Sequence, residues 1–246
     1  MDVHCKSNLF DTVNTGDVFL CSNNTATGFL LRTATSSKWN HVGIAIRLNK
    51  DKKITSNLTD SVLYMLELNA DKRYDILTDS IINGLTLTEV AWFKQRYNRI
   101  SIRRLKKEYL SEGFIQKADK FISKHHGAKF SPSLVPFIGV WWGIPVAGDK
   151  RRSEEGKREF FCSEMMAVFY RYCLGLELDE IFGKNAPDQP CLYLPGHFSV
   201  ERTPRCLIFS DDEEILHISY ADAGIVLLQP FLLILLLMTI LSMLLV

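Results

Sequence analysis

An excess of charge of either sign is missing from this sequence: Lys and Arg total 29 against 28 Asp and Glu, a formal net charge of +1. Nucleic-acid-binding domains show a strong basic surplus, so that class is set aside. Also missing is any C-x-x-C pair among the six cysteines, which are scattered at positions 5, 21, 162, 173, 191 and 206. With neither metal-ligand spacing nor a dense disulfide framework, they read as reduced thiols of a cytosolic setting. The opening Met1-Asp-Val-His-Cys-Lys6 lacks a basic stretch followed by an apolar run, so no signal peptide is expected. No repeat or low-complexity tract precedes the last part of the chain. No cofactor or metal is implied either: the neighbours His125 and His126 would point ~100° apart on a helix, a poor shared ligand pair.

What the chain does have is a long apolar run at its end. Ala223 to Val246 contains no charged residue and is dominated by Leu, Ile, Val, Phe and Met. About 20 apolar residues suffice to cross a bilayer, and Gln229 and Pro230 near the start are tolerable in a membrane helix. A buried core helix seldom lacks a polar face over such a length. A cleaved lipid-anchor signal would require secretion. The expectation is a single-pass tail anchor over 223–246, an acidic linker over 211–222, and a catalytic domain over 1–210 facing the cytosol.

Within that domain Thr15-Gly-Asp17 reads as a turn into a strand at Val18 to Cys21. Ala26 to Thr35 reads as a helix with Phe29, Leu30 and Ala34 on one side. In His41 to Arg47, Val42, Ile44 and Ile46 alternate with His41, Gly43 and Ala45, the pattern of a strand. A polar loop, Asn49 to Thr59, leads to strands at about Ser61 to Leu68 and Arg99 to Leu105, with a short helix expected at Thr86 to Lys94 between them. Ser111 to His125 carries a capped, amphipathic helix pattern. A further helix opens near Cys162 and closes at Gly175. Early strands flanked by helices imply an α+β domain, an antiparallel sheet packed with helices.

Three side chains stand out as candidates for chemistry. Cys162 opens a helix, where the macrodipole and unpaired N–H groups favour a nucleophilic thiolate and can form part of an oxyanion hole; the bland alternative is a small buried hydrophobe. His41 begins a strand whose Gly43 and Ala45 leave its face uncrowded for a helix or substrate, though a histidine at a strand end is more often structural. Glu67 lies on the next strand; such an acid commonly faces solvent, yet in a hairpin it would stand beside His41 and orient the imidazole. His197 reads as a capping or packing residue, and the remaining cysteines as structural.

In combination, Gly16-Asp-Val-Phe19, Trp39-Asn-His-Val-Gly-Ile44, Glu67, Phe160-Phe-Cys-Ser-Glu164 and Leu194-Pro-Gly-His-Phe-Ser199 resemble the permuted NlpC-type branch of the papain-like superfamily. YiiX-like bacterial proteins and certain poxvirus proteins belong there, with lecithin-retinol acyltransferase a more distant relative. The resemblance spans roughly residues 14 to 200. It implies a circularly permuted papain-like fold with Cys162 as nucleophile, His41 as base and Glu67 as its partner, working through a thioester. One departure concerns Gly127-Ala-Lys-Phe-Ser131, where relatives carry a Gly-x-Pro-Tyr-Asp-type segment and Phe130 replaces a tyrosine. The aromatic-rich stretch Val135 to Ile144 reads as a substrate lid or as apolar surface. The function expected first is a hydrolase or acyltransferase working on membrane lipid acyl groups, since a tail anchor would hold the site next to a bilayer. A cysteine peptidase or amidase and an inactive binding scaffold are the alternatives.

Overall fold

The computed structural model describes residues 8–91, 95–131, 159–184, 187, 189–201 and 206–217. A short helix α1 (Asn8–Asp11) precedes strand β1 (Val18–Ser22), helix α2 (Ala26–Thr35) and strand β2 (His41–Asn49). Then come β3 (Ile54–Thr55), β4 (Ser61–Asp75), β5 (Ser80–Glu89), β6 (Arg99–Arg103) and helix α3 (Glu112–His125). Helices α4 (Cys162–Leu174) and α5 (Leu178–Phe182) and strand β7 (Glu214–His217) follow. The seven strands form one sheet in the order β5-β4-β2-β1-β6-β7, with β3 paired to β2, and every pairing is antiparallel.

The centre of the sheet is covered on both faces, which explains why β2 is apolar almost throughout. Val42, Ile44 and Ile46 join Leu66, Leu68, Leu85 and Leu87 in the larger core, against α3, α4 and α5. Ala45 joins Phe19, Met65, Ile100 and Ile102 in a smaller core on the opposite face. Helices α3 and α4 interlock through Phe121 and Phe169, edge to face with centroids 5.2 Å apart. Ser111 caps α3 by accepting from the Phe114 N–H (3.1 Å), and Gly175 ends α4 in the left-handed region, φ 71°. Arg103, wholly buried, donates to the carbonyls of Phe198 (2.9 Å) and Ser210 (2.7 Å). Its guanidinium thereby ties the late loops to the sheet.

Several expectations need correction. Thr86 to Glu89 is the end of β5, not a helix: Leu85 and Leu87 alternate with Thr86 and Thr88, and these residues pair with Met65 to Leu68. The segment read as an acidic linker contributes β7, which pairs with β6 and is held there by Arg104, 3.0 Å from the Glu214 carboxylate. Gly43 makes room for the Met65 side chain and for the Leu66 carbonyl, 2.8 Å from where a Cβ would stand, and not for a helix or substrate.

The fold class stated with a transmembrane helix is corrected as well. Among the described residues no helix is long and apolar enough to cross a membrane. The 14 residues of α3 are amphipathic and reach about 21 Å at 1.5 Å per residue, against about 30 Å of hydrocarbon. The membrane partner and the tail-anchored, single-pass localisation fall with that helix. The run 223–246, on which they rested, lies outside the described residues, as do residues 135–144 of the expected lid.

Candidate active site

Helix α4 begins on Cys162, and its start is pinned from two sides. The buried Glu164 carboxylate accepts from the Phe161 N–H (3.2 Å), and the Ser163 hydroxyl donates to the Tyr193 carbonyl (2.7 Å). The run Cys-Ser-Glu is thus the candidate nucleophile followed by two side chains that lock its position. Being the first helical residue, Cys162 has an N–H with no intrahelical acceptor, and it sits at the positive end of the helix dipole.

His41 is the first residue of β2 and Glu67 lies in the middle of β4. Pairing of these strands, Ile44 with Leu66, brings the two side chains together, so that His41 Nε2 and Glu67 Oε2 stand 3.2 Å apart. Cys162 lies near enough to His41 to act on the charge of its imidazole, and both line one cavity. Glu67 thus engages His41 on one side, with Cys162 near the imidazole, and the three follow one another in the sequence as His, Glu, Cys.

Burial alone would push the imidazolium form of His41 down, but hydrogen bonds and charge interactions with Cys162 and Glu67 outweigh it, and its pKa is pushed up to about 9. Burial also acts against the charge of Glu67, yet His41 and Arg96 hold its carboxyl below the usual value. Arg96 Nη1 is 3.4 Å from Glu67 Oε1, and the buried Tyr97 hydroxyl donates to Oε2 at 3.4 Å. The Tyr97 ring stacks on His41, with centroids 5.6 Å apart and planes 9° apart. Tyr97 and Arg96 are the parts of this arrangement that sequence reasoning missed; no local pattern marks them, because they reach the site only when β6 takes its place beside β1.

A cavity of about 600 Å³ opens on Cys162 and His41. Leu31, Leu68, Phe130 and Phe161 supply apolar wall, and Asn69 and Ser131 are polar members of it. Asn69 was open to discovery from sequence, since it lies two residues after Glu67 on the same strand. Ser131 arrives through a parallel bridge between Phe130 and Phe160, its N–H donating to the Phe160 carbonyl (2.8 Å).

The remaining sequence candidates stand elsewhere. His197 Nδ1 accepts from the Leu194 N–H (2.9 Å), a capping role, and His126 Nε2 meets the buried Asp75 carboxylate at 3.0 Å. Cys21, Cys173, Cys191 and Cys206 are buried. Burial pushes Cys206 up to about 12, as befits an inert thiol. Among the described residues no group of three or more His, Cys, Asp or Glu could hold a metal ion.

What the fold and site define, then, is an α+β chain with a Cys–His–Glu constellation at the end of its sheet. No family model matches the chain, and no curated protein matches it. Among solved structures it is similar to YiiX of Escherichia coli O157:H7, described as a metalloprotein, at 17% identity with a TM-score of 0.42 over 72% of this chain and 86% of that one. A likeness so slight carries nothing about activity.

Proposed function

We propose that this chain is a thiol-dependent hydrolase or acyltransferase of the permuted papain-like kind, with Cys162 as nucleophile, His41 as acid and base, and Glu67 as the group that orients His41. The observation that carries the reading is the placing of one imidazole between a carboxylate and a cysteine at a helix N-terminus. In this mechanism the Cys162 sulfur attacks an acyl carbonyl while His41 holds the proton. The carbonyl oxygen becomes an oxyanion, for which the Cys162 N–H is a ready donor. As the intermediate collapses, the bond to the leaving group breaks, and His41 gives the proton to the departing amine or alkoxide, leaving a thioester. His41 then takes a proton from water or from an acceptor amine or hydroxyl, which attacks the thioester and regenerates the thiol. Glu67 stays ionised and stabilises the imidazolium.

The expected anchor, a ground for a membrane-lipid substrate, has no support, since no helix among the described residues is long and apolar enough to cross a membrane. Polar groups of the cavity wall that have no partner among the described residues favour the second reading, an amide or peptide substrate. The test is acylation followed by intact-protein mass spectrometry with acyl and peptide electrophiles. A single adduct is expected on the wild type and none on Cys162→Ala, with turnover lost and the fold retained. Wild-type turnover by purified Cys162→Ala sinks the mechanism.

A further inference from the structure

Hydrogen-bond donors buried without partners are costly, because each loses its water and receives nothing in return. Among the described residues six side-chain groups are buried without a partner, and three of them lie at one cavity. The Asn69 side-chain nitrogen and the Ser131 hydroxyl have no hydrogen-bond partner among the described residues, although the two residues are only 7% and 1% exposed. Both line the cavity that Cys162 and His41 open into. Arg73 adds an unpaired Nε at the same cavity, while its other nitrogens are engaged by the Lys72 carbonyl (3.1 Å) and the Asp71 carboxylate (3.1 Å).

Local structure explains how these donors come to be there. Asn69 is the last residue of regular β4–β5 pairing before the register shifts, between Asn69 and Arg73. Such an irregularity bends the strand and re-aims its side chains. The β2–β4 register that pairs Ile44 with Leu66, carried on toward the strand end, brings Asn69 level with His41. Ser131 approaches from the other side: the Gly127 N–H donates to the Leu85 carbonyl (3.0 Å), the Leu85 N–H donates to the Ala128 carbonyl (2.9 Å), and the chain then runs alongside Phe160 just before the nucleophile. Gly84, at φ +99°, allows that approach, because a Cβ there would strike the Ala128 carbonyl oxygen.

We propose that Asn69 and Ser131, with Arg73 at their side, form an acceptor-binding subsite for the acyl side of the substrate, which receives a carboxylate or amide carbonyl oxygen borne by the acyl group that Cys162 takes up. This rests on Cys162 being the nucleophile and names the substrate class more closely. A plain alkyl chain in the same space would leave the donors unsatisfied. An acyl group with a second oxygen satisfies them, and a site built around a hydrogen bond discriminates strongly against an analogue lacking it.

The experiment measures the rate at which purified protein is acylated at Cys162 by the p-nitrophenyl esters of pentanoyl, glutaryl and N-acetylglycyl groups, each divided by its rate with free cysteine methyl ester. The glutaryl and N-acetylglycyl donors distinguish a carboxylate from an amide carbonyl as the preferred oxygen. At least one of them is expected to exceed pentanoyl by about tenfold or more. Ser131→Ala and Asn69→Leu should each cut that preference, read as the ratio of the favoured rate to the pentanoyl rate, several-fold. Asn69→Asp keeps the side-chain shape and replaces donors by acceptors, so it should remove any glutaryl preference even if the leucine variant folds poorly. Equal or faster acylation by pentanoyl overturns the subsite, as does a uniform fall for all three esters in the variants. Acylation that persists unchanged in Cys162→Ala would instead locate the failure in the nucleophile assignment.

Discussion

Replacing Glu67 by glutamine tests the electrostatics of the site with little change of shape. In the wild type the His41 pKa lies at about 9 against an ordinary 6.5, a preference for the imidazolium of about 3 kcal/mol. Burial opposes it, and Cys162 and Glu67 together supply it. Loss of the carboxylate charge leaves burial and the sulfur in competition. A single nearby opposite charge typically moves a pKa by about 1–3, so the His41 inflection should fall from about 9 by an amount in that range. Because the wild-type pKa is raised, the imidazolium is present below it and is lost as pH rises through about 9. Turnover, which in the proposed mechanism needs that proton for the leaving group, should decline over the same interval. In Glu67→Gln the decline should begin at lower pH, with a loss at neutral pH smaller than that of His41→Ala. The assay is an imidazole titration by NMR alongside a pH profile of turnover. An inflection that stays near 9 in Glu67→Gln would refute the role given to the carboxylate.

Three further substitutions probe the frame around the site. Ser163→Ala removes the bond to the Tyr193 carbonyl and should cost about 1 kcal/mol in denaturant unfolding without moving the pH profile of turnover; a moved profile would give Ser163 a part in the chemistry. Ser131→Ala removes a buried hydroxyl that has no partner among the described residues, so it should leave thermal stability unchanged or raise it by up to about 1 kcal/mol. A clear loss there would mean that the hydroxyl holds the fold together. Gly84→Ala puts a Cβ where φ is +99° and where the Ala128 carbonyl already stands, and should destabilise the protein by about 2 kcal/mol or more. An unchanged melting temperature would show that the 127–131 segment gives way without cost.

The elements legible in the sequence are those with local signals. Helix α3 has its cap at Ser111 and an apolar stripe through Phe114, Ala118, Phe121 and Ile122, and α4 runs from a polar start to a glycine stop. Strand β2 shows alternation that burial on both faces has partly erased. Strands β5 and β7 were not legible, for different reasons. In β5 the buried Thr86 and Thr88 are β-branched residues suited to a pleated surface, but their spacing among leucines also fits a helical turn. In β7 a four-residue strand carries Glu214 at its head, and nothing nearby in sequence announces Arg104, the residue that neutralises it.

The same distinction between local and distant signals runs through the site. Cys162, His41 and Glu67 each stand at a place that a periodic pattern marks: a helix start, a strand start, and the strand that would pair with it. Their environment is set by residues with no such mark. Tyr97 stacks on His41 and reaches Glu67 from the approach to β6, and Ser131 meets the cavity only because Gly84 lets a loop lie against β5. Composition was a poorer guide still. The apolar run at 223–246 points to a membrane, which no helix among the described residues is long and apolar enough to cross, and it says nothing of the buried amide and hydroxyl groups in the cavity beside Cys162. Hydropathy measures what a segment would prefer as solvent, and substrate choice depends on which donors and acceptors the folded wall leaves unsatisfied. Asn69 combines the two kinds of signal: its position two residues from Glu67 is plain in the sequence, and that its side-chain nitrogen has no partner among the described residues appears only when the strands are paired.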